Sequence, residues 1–369
     1  SNSVSGSPSL FSEMAKPPPS TEQSTFGGLP SNQISVQERR VTKKVDLKEG
    51  DKVGKYTVID VIAPDSGINN IYVVQHNETQ DVHCLKIEAR HEKVLRTELY
   101  ILLQMKKNAD SKHFCKVFDR GMEKEFNWIV ISLAGESLKA LRHQMPDRKF
   151  SLGTGIGIAK QSLKALEELH RVGFVHRDVS PSNFAIGRPE FTEDRILYLL
   201  DFGYSHQYKE SDGTLKRPRC KPTKYFGSAR HAPRGAFLNI EMSRADDLES
   251  WFYMVVECLK GGLPWTHLRD PGAIYRQQRR CREGLDMRNL LGGLPVEFGQ
   301  MMKIIDRLTF FDNLDYAAAL QTLLDRAMTR GNVKEFPYDW ENREGAAAAE
   351  GKAASAKSKK EENQPPPKK

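Results

Sequence analysis

Cysteine is scarce in this chain, five residues in 369, and none stands in a C-x-x-C pair. Cys84, Cys115, Cys220, Cys258 and Cys281 are odd in number and widely spaced. This argues against a disulfide framework and against a zinc site, and fits free thiols in a reducing compartment. No apolar run approaches the ~18 residues of a membrane-spanning helix, so no membrane partner is expected. The N-terminus is rich in Ser and Pro and lacks the apolar core of a cleavable export signal; it also lacks an initiating Met, as a fragment or a processed chain would. There is no internal repeat, no zinc-finger spacing and no RNA-binding signature. Acidic residues fall short of basic ones, 48 against 56, for a formal net charge of +8. Such a surplus alone does not separate an acidic protein partner from nucleic acid. Much of it sits in the tails and one internal segment, so no nucleic acid is expected.

What is present divides the chain in three. Residues 1–50 are rich in Ser, Pro, Gly and polar groups, and residues 342–369 are rich in Ala, Glu and Lys and close on Gln364-Pro365-Pro366-Pro367-Lys368-Lys369. Neither can bury enough apolar surface to offset chain entropy, and both are expected to be disordered. The run Lys357-Ser358-Lys359-Lys360 reads either as a solvated tail or as a nuclear signal, so the expected location is cytoplasmic with a nuclear alternative. Between the tails, β-branched stretches at Tyr56 to Ile62, Ile71 to Val74, Val82 to Ile87 and Trp128 to Leu133 predict strands. A helix is expected over 92–106, with Leu95, Leu99, Leu102 and Leu103 on one face. From 135 onward helical periodicity dominates. Ile156, Ala159, Leu163, Leu166 and Leu169 form one stripe, and Leu248, Trp251, Phe252, Val255 and Leu259 form another. Strands followed by helices predict an α+β, two-lobed domain over 51–341, with a sheet-rich lobe at 51–133, a helical lobe at 134–341 and a ligand cleft between them.

The most informative stretch is His176-Arg177-Asp178-Val179-Ser180-Pro181-Ser182-Asn183, followed by Asp201-Phe202-Gly203. Its order and spacing resemble the catalytic and metal-binding loops of a protein kinase. On that resemblance Asp178 orients a substrate hydroxyl and takes its proton, while Asn183 and Asp201 hold Mg²⁺ on the phosphates of ATP, a carboxylate and an amide oxygen suiting a hard cation. Upstream lie Lys86, in a strand, and Glu98, on the early helix. By themselves they read as a surface pair; ahead of the other motifs they match the ammonium that grips the α- and β-phosphates and the carboxylate that fixes it. His176 reads as a packed structural histidine, and Arg177 either as an anion ligand or as half of a structural ion pair.

At a finer level the chain resembles the casein kinase I superfamily, and within it the tau-tubulin kinase-like branch, over about residues 51 to 341. The segments that carry the likeness are Asn183-Phe184-Ala185-Ile186-Gly187, Gly227-Ser228-Ala229-Arg230-His231-Ala232, Asp246-Asp247-Leu248-Glu249-Ser250, Gly262-Leu263-Pro264-Trp265, Leu314-Asp315-Tyr316 and Tyr338-Asp339-Trp340-Glu341. The resemblance implies a Ser/Thr protein kinase using ATP and Mg²⁺ on protein substrates, acting as a monomer. It surrounds the nucleotide with Ile62, Ala63, Gly67, Asn69, Asn70, Ile71, Cys84, Lys86, Ala185 and Asp201, makes Ile131 the gatekeeper, and makes Ser132, Leu133 and Ala134 the hinge. Asp247 matches the acid that braces the catalytic loop. Arg230, with Lys224 nearby, matches a substrate-side anion site whose partner lysine falls near Ala273.

Two departures stand out. The loop over the phosphates, Ile62 to Tyr72, holds a single glycine together with Pro64, which has no N–H, and Asp65, which repels phosphate. Ser180 stands where the family carries a lysine that reaches the transferring phosphate. A slow kinase and a pseudokinase scaffold are therefore both open. The segment Lys209 to Arg230 is basic, with Lys209, Lys216, Arg217, Arg219, Lys221, Lys224 and Arg230 against Glu210 and Asp212. It reads either as a solvated loop or as a border that favours acidic or phosphorylated substrates.

Overall fold

In the computed structural model, the described residues are 45–62, 70–107, 111–210, 212–218 and 227–341. Of the tails expected at 1–50 and 342–369, residues 1–44 and 342–369 lie outside them, but 45–50 are described and part of the fold: Val45 and Leu47 pack on the sheet, and Leu47 donates its N–H to the Tyr72 hydroxyl at 3.0 Å. Strands β1 (Lys52–Val53), β2 (Tyr56–Ile62), β3 (Asn70–His76), β4 (Val82–Ala89), β5 (Val117–Met122) and β6 (Phe126–Ile131) form one antiparallel sheet in the order β1-β2-β3-β4-β6-β5. Side chains alternate between its faces. On β6, Trp128 and Val130 join Val53, Tyr56, Tyr72, Leu85 and Ile87 on one face, while Ile129 and Ile131 turn with Cys84 toward helix α1 (Val94–Lys106).

Helix α1 has no side-chain cap at Lys93, but Glu88 Oε2 accepts the Leu95 N–H at 2.8 Å and satisfies one orphan donor. Its buried residues are Leu95, Glu98, Ile101, Leu102 and Met105. The expected face is thus turned: Ile101 and Met105 fill the deep positions, and Leu99 and Leu103 are only half-buried. Strand β5 escaped the sequence reading because its apolar residues alternate the wrong way, with Phe118 and Met122 exposed. The last expected strand stops at Ile131, and residues 132–137 run on as a linker.

The helical lobe contains α2 (Leu138–Gln144), α3 (Leu152–Arg171), α4 (Arg234–Phe237), α5 (Arg244–Lys260), α6 (Pro271–Arg280), α7 (Gly284–Leu291), α8 (Val296–Arg307) and α9 (Thr322–Gly331), with a π-helical turn at Ala317–Gln321 leading into α9. Short strands β7 (Phe174–Val175), β8 (Phe184–Ile186), β9 (Leu197–Leu199) and β10 (His206–Gln207) pair as β8 with β9 and β7 with β10. Helix α5 starts at a Ser243/Asp246 capping box and stops at Gly261 (φ 83°). Every residue from Asp247 to Leu259 is buried, so α5 is the axis of the lobe. It packs on α3, where Gly155 lets Leu259 approach: a Cβ there would lie 2.2 Å from Leu259 Cδ2. Trp251 Nε1 donates to Ser162 Oγ at 2.9 Å across the same contact. Both predicted stripes, on α3 and α5, are buried.

The end of the domain is clasped to the start of α3. Ser151 donates its N–H and its hydroxyl to the Asp339 carboxylate at 2.7 Å each. Tyr338 and Trp340 are buried, and Arg195 grips Glu341 at 2.6–3.1 Å. No helix among the described residues is long and apolar enough to cross a membrane. Leu166 is fully buried on α3. We expect Leu166→Ala to lower stability by about 2–5 kcal/mol, against roughly 0.5 kcal/mol or less for Met122→Ala at the exposed end of β5, as read from urea unfolding midpoints.

Candidate active site

Lys86 lies mid-strand on β4, opposite Ile71 of β3 and Ile129 of β6, and points at α1. Its Nζ meets Glu98 Oε1 at 2.6 Å, with both residues at most 5% exposed. Burial alone would lower the lysine pKa, but the carboxylates of Glu98 and Asp201 outweigh it and hold the ammonium charged. Strand β4, helix α1 and the segment after β9 therefore bring Lys86, Glu98 and Asp201 into one electrostatic unit.

The loop 176–183 hangs from α5. Asp247 Oδ2 accepts the His176 N–H at 2.6 Å and His170 Nε2 at 2.8 Å, and Oδ1 accepts the Arg177 N–H at 2.8 Å. To aim consecutive N–H groups at one carboxylate, Arg177 takes a left-handed conformation (φ 70°). His176 is fully buried; its Nε2 sits 3.1 Å from the Leu200 carbonyl and its ring meets Phe202 edge-on at 5.5 Å. This is the packed histidine expected from sequence. Asp178 then emerges half-buried. Its Oδ1 accepts the Ser228 N–H at 3.0 Å and its Oδ2 accepts Asn183 Nδ2 at 3.0 Å. Asn183 Nδ2 also reaches the Asp178 carbonyl at 2.7 Å, so the amide turns its own carbonyl oxygen away from Asp178.

Asp201 is also left-handed (φ 59°), and its Oδ1 accepts the Gly203 N–H at 3.2 Å. Phe202 is buried and stacks on Phe114 at 5.7 Å, which locks the segment. Two oxygen donors, the Asn183 amide and the Asp201 carboxylate, suit Mg²⁺, which completes its shell with water and phosphate oxygens rather than with a protein cage. Among the described residues no three His, Cys, Asp or Glu side chains cluster as a self-sufficient metal site.

The described residues expected around the nucleotide come from five strands, β2, β3, β4, β6 and β8, from the linker and from Asp201. Cys84, Ile131 and Leu133 share one buried cluster, with Ile62 and Ile71 packed against it. Burial pushes the Cys84 thiol up to about 12, so it serves as a small apolar group. Ser132 donates its N–H to the Lys116 carbonyl at 3.0 Å, and Gly135 donates to the Ile186 carbonyl at 2.8 Å. These bonds strap the linker, with half-buried Ala134, to β5 and β8, and they bring buried Ala185 alongside Ser137. Asn70 opens β3 opposite Ile87. Ala63, Gly67 and Asn69 lie outside the described residues, as does Lys224.

Arg230 lines a cavity of about 660 Å³ that also reaches Ser180 and Ser228. Beneath it Glu257 collects three partners: Arg230 Nη1 at 3.1 Å, Arg142 Nη2 at 3.4 Å and His231 Nε2 at 2.8 Å. Burial works against the Glu257 carboxylate, but the His231 hydrogen bond and the charges of His231, Arg142 and Arg230 overcome it and hold its pKa down to about 2. Ala273 carries no charge, and its N–H donates to the carboxylate of Asp270, the N-cap of α6, at 2.6 Å. The cavity takes its remaining basic side chains from Lys139, His143, His267 and Arg269 instead. These were missed because they come from α2 and the loop before α6, with no local pattern to mark them.

Residues 67–286 match the family model described as protein kinase domain. The chain belongs to the protein kinase family. It is 33% identical over 303 residues to a probable serine/threonine-protein kinase of Dictyostelium discoideum, covering 80% of this chain and 58% of that protein. It is 32% identical over 285 residues to the serine/threonine-protein kinase spe-6 of Caenorhabditis elegans, covering 75% of this chain and 73% of that protein. It is also 32% identical over 222 residues to casein kinase I homolog 1 of Saccharomyces cerevisiae, covering 60% of this chain and 41% of that protein. With further casein kinase I homologues among its relatives, this kinase domain falls in the casein kinase I superfamily. The kinase chain thus spans 58%, 73% and 41% of the lengths of these three relatives.

The low pKa of Glu257 fixes the sign of one pH effect in this kinase domain. A folded-state value of about 2, below the ordinary 4.5, adds stability that is present above pH 4.5 and lost as pH falls through 2. We therefore expect wild type to exceed Glu257→Gln in stability at pH 6, and the gap in unfolding midpoint to close as pH falls from 4.5 toward 2.

Proposed function

We propose that residues 51–341 are a Ser/Thr protein kinase of the casein kinase I type that transfers the γ-phosphate of ATP to protein hydroxyls. The observation that carries this reading is the buried 2.6 Å pair of Lys86 with Glu98, standing with an Asp178 whose two oxygens are held by Ser228 and Asn183. The names of the relatives, serine/threonine-protein kinases and casein kinase I homologues, support the same reaction. Asp178 accepts a hydrogen bond from the substrate hydroxyl, aims its oxygen at the γ-phosphorus and takes its proton as the bond forms. Lys86, kept charged by Glu98, holds the α- and β-phosphates. Ile131 and the linker Ser132 to Ala134 receive the adenine, with Cys84 and Ala185 on its faces. Asn183 and Asp201 would hold Mg²⁺, which neutralises phosphate charge and keeps the transferring group in line. Arg230 and the basic cavity around it favour acidic or phosphorylated protein substrates.

Ser180 sets the expected speed. It is buried and has no charge to offer the transferring phosphate. Loss of one such donor costs ~3 kcal/mol, on the order of a hundredfold, from the roughly 1–100 s⁻¹ of kinases in general. The same residue favours a second reading, a pseudokinase scaffold that keeps the fold and binds without chemistry.

Two measurements separate these readings. Radiolabelled ATP with an acidic protein substrate is expected to label well above background, and Asp178→Asn to lower the rate by roughly 10²–10⁴-fold; equal labelling by the two proteins would rule out the kinase. Thermal unfolding with millimolar ATP and Mg²⁺ is expected to shift upward, since a ligand of the folded state stabilises it by about 2.7 kcal/mol at a hundred times its Kd. No shift would favour the scaffold.

A further inference from the structure

The support of the proposed base does not end at Asp247. His170, in the last turn of α3, is buried, and both of its ring nitrogens are engaged. Nε2 meets Asp247 Oδ2 at 2.8 Å, and Nδ1 meets the Tyr316 hydroxyl. Tyr316 is buried too and stands directly before the π-helical turn Ala317–Gln321. Such turns recur at functional sites. The His170 and Tyr316 rings pack at 5.8 Å. Tyr208, in the segment just after β10, donates its hydroxyl to the His170 carbonyl at 2.6 Å and sets its ring edge-on to the imidazole at 6.5 Å. The imidazole is therefore held by α5, by the residue before the π turn and by the segment that follows β10.

The donors and acceptors along this path can be ordered. Burial opposes the charge of Asp247, yet the His170 bond and nearby positive charge keep it ionised. A carboxylate is then acceptor-only, so the His170 nitrogen 2.8 Å away carries a proton. Burial raises the Tyr316 pKa, so its hydroxyl keeps its own proton and can donate to Nδ1. We propose that Tyr316 is a positioning residue for the base Asp178: its hydroxyl fixes the Nε2–H tautomer of His170, which holds the Asp247 carboxylate in register with the His176 and Arg177 N–H groups. Without that hydroxyl either tautomer is open to the ring, and the one lacking Nε2–H turns a lone pair on the carboxylate. Arg177, left-handed at φ 70°, takes its backbone from that carboxylate, and Asp178 is the next residue. The effect on catalysis rests on the kinase reading; the tautomer and its hold on the loop do not.

The test uses the full chain. Tyr316→Phe keeps the ring and removes only the hydroxyl. Tyr338→Phe, which deletes a hydroxyl bonded to Gln161 and Glu335, controls for general loosening. Tyr316→Phe is expected to lower kcat roughly tenfold or more, since small misplacements of a catalytic group cost up to about 10²-fold. KM for ATP and the thermal shift with ATP and Mg²⁺ are expected to stay as in wild type, and Tyr338→Phe to leave kcat nearly unchanged. Nitrogen-15 NMR of the histidine-labelled chain, with the His170 signals assigned by their loss in His170→Gln, is expected to show the neutral Nε2–H tautomer in wild type. Tyr316→Phe is expected to change that pattern and, in the arginine-labelled chain, to shift the Arg177 amide. The proposal is overturned if Tyr316→Phe turns over like wild type, or loses no more than Tyr338→Phe. It is also overturned if wild-type His170 carries a proton on Nδ1, alone or with Nε2. A lower kcat with an unmoved Arg177 amide overturns the path through Asp247. If wild type labels no substrate, the kinase reading fails instead, and the hold of Tyr316 on the loop is decided by the two NMR signatures alone.

Discussion

A single carboxylate, that of Asp247, accepts the N–H groups of two successive loop residues and a histidine from α3, and it does so inside the lobe at 1% exposure. Burial by itself would raise its pKa, but the His170 hydrogen bond and nearby positive charge hold the group below its ordinary value and keep it an acceptor. Because its oxygens are fixed to α5, Arg177 has to adopt a left-handed backbone, a strain of about 1–3 kcal/mol that the surrounding core sustains. Asp178 follows directly from that turn. The position of the proposed base is therefore set by a residue that never meets the substrate, and the hydrogen bonds of Ser228 and Asn183 only refine it.

Two other buried carboxylates play comparable parts. Glu98 couples α1 to β4 through Lys86, and such a buried pair contributes more to geometry than to net stability, since desolvation offsets much of the attraction. Glu257 gathers Arg142, Arg230 and His231 below the basic cavity. It rigidifies Arg230 but also cancels part of its charge, so the field over the cavity depends on half-buried Lys139 and exposed His143, His267 and Arg269 as well. Charged residues in this protein do two different jobs. Those inside hold structure in place, and those at the cavity rim set the field over it.

Much of the lobe order and the core was legible because burial imposes period. The stripes on α3 and α5 appear in the sequence as regular apolar spacing, and both are buried as expected. Strand β5 was not legible, since it is an edge strand paired only with β6 and its large apolar residues Phe118 and Met122 face out. The tilt of α1 was misread for a related reason: a buried glutamate displaces leucine from the face that a hydrophobic pattern would choose. The loop at 176–183 that carries the proposed base was legible because its pattern is local, eight residues in a row. The basic cavity was not, because its side chains converge from segments that only tertiary packing makes neighbours.

The clasp at residues 338–341 has a consequence for how the protein is made. Asp339 bonds Ser151 across 188 positions, and Glu341 reaches back 146 positions to Arg195. Contacts so distant along the chain close slowly, after more local ones. A ribosome must therefore release nearly the entire domain before α3 finds its final partners, and until then the partly built helical lobe exposes the surface that Tyr338 and Trp340 will cover. The interval before that closure is where a chaperone would have most to protect.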